Sequence, residues 1–168
     1  MANSNNSRMI SFYIPQDAGL LGALGIIALR HAHLDHILRM TIKTLSNVSV
    51  QEALDATEFE SSSGLRRRIR KLARLKLGEG KALIKLQALL ERCSRATKRQ
   101  NELIHNIWAR ELDGEPLMRT NDHNWKSPPT IEELNALSEE LTVLTNELND
   151  ARLSGFLAEA PAMGTQNS

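Results

Sequence analysis

The spacing of the large aliphatic residues constrains this chain more than any other feature. Leu20, Leu24, Ile27, His31, Leu34, Leu38, Thr41 and Leu45 follow one another in alternating steps of four and three. So do Leu83, Leu86, Leu90, Cys93, Thr97, Gln100, Ile104 and Ile107, and again Leu134, Leu137, Leu141, Leu144 and Leu148. At about 3.6 residues per turn, such a series lines one face of a helix and must be buried against a neighbour. No stretch of useful length alternates in steps of two, so the pattern offers no strand. Aromatic residues make up only 4% of the chain, which leaves Leu, Ile and Ala to build the core, as helix bundles do. A chain of 168 residues can bury such a core as one domain without metal or disulfide support.

Local signals set the boundaries. Pro15-Gln16-Asp17 suits a helix start, and the first helix is expected to run to about Leu45. Ser49-Val50-Gln51-Glu52 has capping-box spacing and opens a short helix to about Phe59. Ser61-Ser62-Ser63-Gly64 reads as a linker, followed by a helix over Leu65–Leu77 and a break at Gly78 and Gly80. The next helix spans about Lys81–Leu112, with a turn at Asp113-Gly114 and a loop through Trp125 to Pro128-Pro129. Thr130-Ile131-Glu132-Glu133 repeats the capping box and opens a last helix that ends before Gly155. The expected fold is all-α, an antiparallel four-helix bundle with one short extra helix over 15–155, between flexible tails at 1–14 and 156–168.

Several function classes fall away. Cys93 is the single cysteine and lies on an apolar stripe, where a buried reduced thiol is the plainer reading. No intrachain disulfide can form, which points to a reducing cytoplasm. The apolar run Leu20–Leu29 is shorter than the roughly 20 residues a membrane span needs, and no basic segment precedes it. No Gly-rich phosphate loop, paired cysteine ligands or nucleophile elbow is present. In His31-Ala32-His33-Leu34-Asp35-His36 each helix face offers only two ligands where a metal wants three or four, so neither metal nor cofactor is expected. Net charge is +1 but unevenly spread: residues 66–99 carry thirteen Lys or Arg against Glu79 and Glu91, and residues 111–168 carry eleven Asp or Glu against Arg119, Lys126 and Arg152. That asymmetry either steers an anionic partner or reflects basic helices packed beside an acidic one. Arg66-Arg67-Arg68-Ile69-Arg70-Lys71-Leu72-Ala73-Arg74 covers most of the solvent side of a helix with charge. From it Arg66, Arg67, Arg70, Lys71 and Arg74 are candidates for phosphate contact, against the plainer reading of a solvated face.

The most distinctive run is Arg99-Gln100-Asn101-Glu102-Leu103-Ile104-His105-Asn106-Ile107-Trp108. At about 100° per residue Asn101 and His105 share a face with Lys98, while Arg99 points about 120° away from His105. The run resembles the signature of HEPN-like proteins, in which an Arg precedes a His by four to six residues near the end of a bundle helix and a polar residue, often Asn, follows the Arg. Gln100 stands where the tighter form of that signature has Arg, and Arg99 is displaced by one. The resemblance implies metal-independent RNA cleavage, of toxin or defence type, in a composite site at a homodimer interface. A protein inhibitor or antitoxin is a further implied partner. His105 would act as general base on the ribose 2′-hydroxyl, Arg99 would stabilise charge developing on phosphate, and Asn101 would orient the ring or the backbone. Either Arg99 acts across a dimer seam or Lys98 is the site cation. Other members of the group bind RNA or proteins without catalysis, so an RNA-binding protein with endoribonuclease activity and a non-catalytic helical interaction module remain the two readings.

Overall fold

The computed structural model describes residues 10–112 and 114–158. The order of elements is β1 (Ile10–Phe12), α1 (Ala18–Ser46), α2 (Val50–Asp55), α3 (Ser62–Leu77), α4 (Lys81–His105), β2 (Trp108–Glu111), β3 (Pro116–Arg119), β4 (Trp125–Lys126) and α5 (Ile131–Leu153). Side chains start most of the helices. Asp17 Oδ1 accepts from the Leu20 N–H at 2.7 Å at the head of α1. Ser49 and Thr130 form complete capping boxes with Glu52 and Glu133. Ser61 Oγ accepts from the Gly64 N–H, so Ser62–Gly64 is the first turn of α3 rather than the expected linker. Two left-handed residues stop helices: Asn47, with φ 54, follows α1, and Gly78, with φ 63, follows α3.

The helical stripes meet in one core. Ile27, Leu34 and Leu38 of α1, Leu65 and Ile69 of α3, Leu86 and Leu90 of α4, and Leu137, Leu141 and Leu144 of α5 are all almost wholly buried. Cross-helix contacts give the directions. Arg66 meets Thr97 and Arg70 meets Glu91, so α3 and α4 run antiparallel. Arg92 meets Glu147 and Arg99 meets Glu140, so α4 and α5 do as well. Arg30, by contrast, reaches Ser138 and Thr142, and a side chain at Gly19 would press on Ile131. α1 and α5 therefore lie parallel, and the bundle is not uniformly antiparallel.

The pure all-α expectation is corrected by a small sheet. Its strands form an antiparallel meander in the order β1-β2-β3-β4, with Phe12 opposite Ala109, Trp108 opposite Met118 and Met118 opposite Lys126. Met118 is buried against the helical core, and Ala109, on the opposite face of the sheet, is buried as well. The helix expected to reach Leu112 ends at His105, and the expected loop through Trp125 to Pro128-Pro129 contains the short strands β3 and β4. Of the expected tails, residues 1–9 and 159–168 lie outside the described residues. Ile10–Phe12 is instead paired to β2, and Leu157 is buried in the core. The expected turn at 113–114 is seen from its second residue: the Gly114 N–H donates to the Glu111 carbonyl at 3.1 Å.

Candidate nucleic-acid interface

The basic run folds into α3 with Leu65, Ile69 and Ala73 inward, and this decides which cations reach solvent. Arg67, Lys71 and Arg74 are exposed, spaced four and then three residues apart, and form one row along the helix. With Arg70, Ser63 and Leu75 they line an open groove of about 580 Å³. Arg70 also lies 3.6 Å from Glu91. No ion pair holds Arg67, Lys71 or Arg74 among the described residues. An aromatic residue that the sequence reading passed over, Phe59, is 93% exposed four residues before Ser63.

Arg66 does not belong to that surface. It is 6% exposed, and its Nη1 donates to Thr97 Oγ1 at 3.2 Å. Geometry explains the correction: position 66 precedes the inward Ile69 by three residues, so its stem follows the apolar face and its head meets α4. His31 completes the group, with its Nε2 3.3 Å from the same Thr97 oxygen. One turn further along α1, Asp35 Oδ1 accepts from Ser62 Oγ at 2.6 Å. Burial holds the His31 pKa below its ordinary value, opposed by Asp35 and reinforced by Arg66. Burial also lowers the Arg66 pKa, against the influence of Cys93 and Asp35, and pushes the Cys93 thiol up to about 12. Since Arg66 can only donate, Thr97 is left to offer its hydroxyl proton to His31, which fits a neutral ring. Cys93 is thus an internal part of the bundle, and His31 is a half-buried one held to Thr97.

At the far end of α4, Lys98, Asn101 and His105 are all exposed, as their shared helix face requires. His105 is the last residue of the helix. The chain then turns sharply, and Trp108 Nε1 donates to the Leu103 carbonyl at 2.9 Å, satisfying an acceptor that the helix end leaves open. Arg99 takes a different direction. Its Nη1 donates to Glu140 Oε2 of α5 at 3.1 Å. Arg99 also lines a cleft of about 210 Å³ with Glu102, Lys126, Pro128 and Leu134, a cleft that does not include His105. Gln100 turns inward, 6% exposed, with no partner for its Oε1 among the described residues. The structure therefore brings Lys98, Asn101 and His105 to one face and leaves Arg99 on another. Glu140, which holds Arg99, carries no signal in the sequence beyond membership of an acidic helix. No protein-family model, curated protein or solved structure matches this chain.

Proposed function

We propose that this protein binds RNA through the outward face of α3. The observation that carries the reading is the row Arg67, Lys71 and Arg74, which lines an open groove and is free of ion pairs among the described residues. Cations left unpaired by their own fold retain their full attraction for a phosphate backbone and gain from the counterions released on contact. Titration of a labelled single-stranded RNA between about 50 and 200 mM salt tests it. Three phosphate contacts predict a log-log slope near −2 for a single strand, and Arg67→Glu with Lys71→Glu and Arg74→Glu should weaken binding at least about tenfold at the low-salt end. Affinity unaltered by these reversals, or insensitive to salt, rules the reading out. Phe59→Ala belongs in the same series, because loss of a stacked base costs about 1–3 kcal/mol on a single strand and nothing comparable on a duplex.

RNA cleavage at His105 is a second reading, favoured by the joint exposure of His105, Asn101 and Lys98. An imidazole in solvent can take the proton of a ribose 2′-hydroxyl as that oxygen attacks its own phosphate; the P–O5′ bond breaks, the 5′-oxygen takes a proton from water, and a 2′,3′-cyclic phosphate is left. The pairing of Arg99 with Glu140 favours Lys98 as the cation in this reading, with Arg99 of a second copy as the alternative. RNA incubated in chelator should be cut by the wild type, not by His105→Ala, and less by whichever of Lys98→Ala and Arg99→Ala removes the site cation. Absence of cutting by the wild type, or cutting that survives His105→Ala, leaves RNA binding alone.

A further inference from the structure

The cleft of about 210 Å³ beside β4 combines an apolar floor with a charged rim. Leu103 of α4, Met118 of β3, and Leu134 and Leu137 of α5 supply the floor. All four belong to the buried core, so the cleft reaches from solvent down to apolar packing. The rim carries two cations, Arg99 and Lys126, and two carboxylates, Glu102 and Glu133. Pro128 and Pro129 also line it, and their fixed backbone angles hold that segment in place before anything binds.

Charges of both signs around one small cleft would ordinarily neutralise each other across it. Here they do not. Arg99 meets Glu140, which is not part of the lining, through one Nη1–H. Its guanidinium has further N–H donors that this contact leaves unused. Lys126, Glu102 and Glu133 stand in no ion pair among the described residues. Glu102 Oε1 accepts from Asn121 Nδ2 at 3.3 Å, and Glu133 Oε2 accepts from the Thr130 N–H at 2.8 Å. Both donors are neutral, so the carboxylates keep their charge.

We propose that this cleft binds a free α-amino acid with an apolar side chain. Such a ligand carries an anion, a cation and an apolar group on one carbon, and the lining answers each. Its carboxylate meets the Lys126 ammonium and a spare N–H of Arg99. Its ammonium meets Glu102, because Glu133 is fixed in the capping box of α5. Its side chain covers Leu103, Met118, Leu134 and Leu137, and the unbranched Met118 can adjust to its shape. At about 30 Å³ per water the space equals about seven waters, below the roughly 300 Å³ at which drug-sized pockets begin. That size suits a single amino acid better than a nucleotide. A phosphate backbone fits less well, because the two carboxylates offset the two cations.

Isothermal titration calorimetry on the full chain without RNA tests the proposal and keeps it separate from the reading of α3. Leucine or phenylalanine should bind with a Kd of about 1 mM or tighter, and glycine, with nothing to lay on the floor, at least about tenfold more weakly. Isocaproate is leucine without its ammonium, and isoamylamine is leucine without its carboxylate. Each should bind at least about tenfold more weakly than leucine. Lys126→Gln should remove most of the advantage of leucine over isoamylamine, and Glu102→Gln most of its advantage over isocaproate. Lys126 is exposed and Glu102 half-buried, so both variants should keep the helix content of the wild type by circular dichroism. Lys71→Glu on α3 should leave leucine binding unchanged. Absence of binding by both amino acids overturns the proposal, as does isocaproate or isoamylamine binding as tightly as leucine. Leucine affinity indifferent to both rim substitutions, or abolished by Lys71→Glu, overturns it as well.

Discussion

His31 occupies a position on the α1 stripe where its neighbours four and three residues away are Ile27 and Leu34, and its ring reaches Thr97 across the bundle. Its pKa is held below the ordinary 6.5 by burial, with Arg66 adding to the effect and Asp35 opposing it. Between the folded value and about 6.5 the unfolded chain binds the extra proton and the folded chain does not. The contribution of His31 to stability is therefore complete above about pH 6.5 and is lost as pH falls through that window toward the folded value. Melting temperature should decline on acidification from pH 7.5, and His31→Gln, which can still accept from Thr97, should flatten the decline. The carboxylate of Glu52, held below its usual 4.5 chiefly by the Ser49 hydrogen bonds, titrates in a lower window and leaves this comparison clean. If the two proteins melt in parallel between pH 7.5 and 5, the assignment to His31 is wrong. Cys93 gives a second check at this scale. With its thiol pushed up to about 12, very little thiolate exists at neutrality, so modification by a thiol reagent should be slow in the native chain and prompt in denaturant.

Elements that carry their own start signal could be read from the sequence, and those defined by remote partners could not. The capping boxes at Ser49 and Thr130 and the four-three stripes located α1, α5 and the start of α2 closely, because each depends on contacts within a few residues, whereas α2 ends at Asp55 and not near Phe59. The strands hold only two to four residues, and β1 pairs with a strand almost a hundred positions away, so no local alternation could announce them. The end of α4 was hidden for a related reason. Ile104 and Ile107 continue the helical spacing, and no Gly or Pro interrupts it; the stop comes from the Trp108 indole folding back onto the Leu103 carbonyl. Among the candidate residues the cationic character of α3 was legible, but which arginine turns inward depended on Thr97, a partner on another helix. Trp108→Phe tests the cap. Loss of that hydrogen bond should cost about 1 kcal/mol, which lowers the melting temperature by about 2–4 °C in a chain of this size. Amide exchange should quicken at Leu103–His105 and not in the middle of α4. Uniform acceleration along the helix would assign Trp108 to packing alone. Thr130→Ala should lower stability by a similar amount, about 1 kcal/mol, through the head of α5.

On the scale of the whole molecule, the uneven charge along the chain resolves into two populations. Part of it is internal: Arg92 with Glu147 at 2.5 Å and Arg99 with Glu140 at 3.1 Å join basic α4 to acidic α5, so the packing of unlike helices accounts for that share. The rest faces outward, from Lys81, Lys85, Arg95 and Lys98 on α4 and from the row Arg67, Lys71 and Arg74 on α3, which projects away from the acidic helix. Surface pairs such as Arg99–Glu140 are worth about 0–1 kcal/mol, so Arg99→Ala should leave the fold intact and serve as a control for the exposed row. These populations make opposite predictions for the salt dependence of RNA binding. Each phosphate contact removed should reduce the log-log slope by about 0.7 on a single strand. Lys71→Ala should therefore flatten the slope by that amount and weaken binding by a similar factor whatever the RNA sequence, because a lysine–phosphate contact reads charge and not bases. Arg99→Ala should leave both slope and affinity in place, since its charge is already met by Glu140 within the fold. A slope that responds to Arg99 and not to Lys71 would move the binding surface from α3 to the cleft beside β4, and with it the face on which RNA is to be sought.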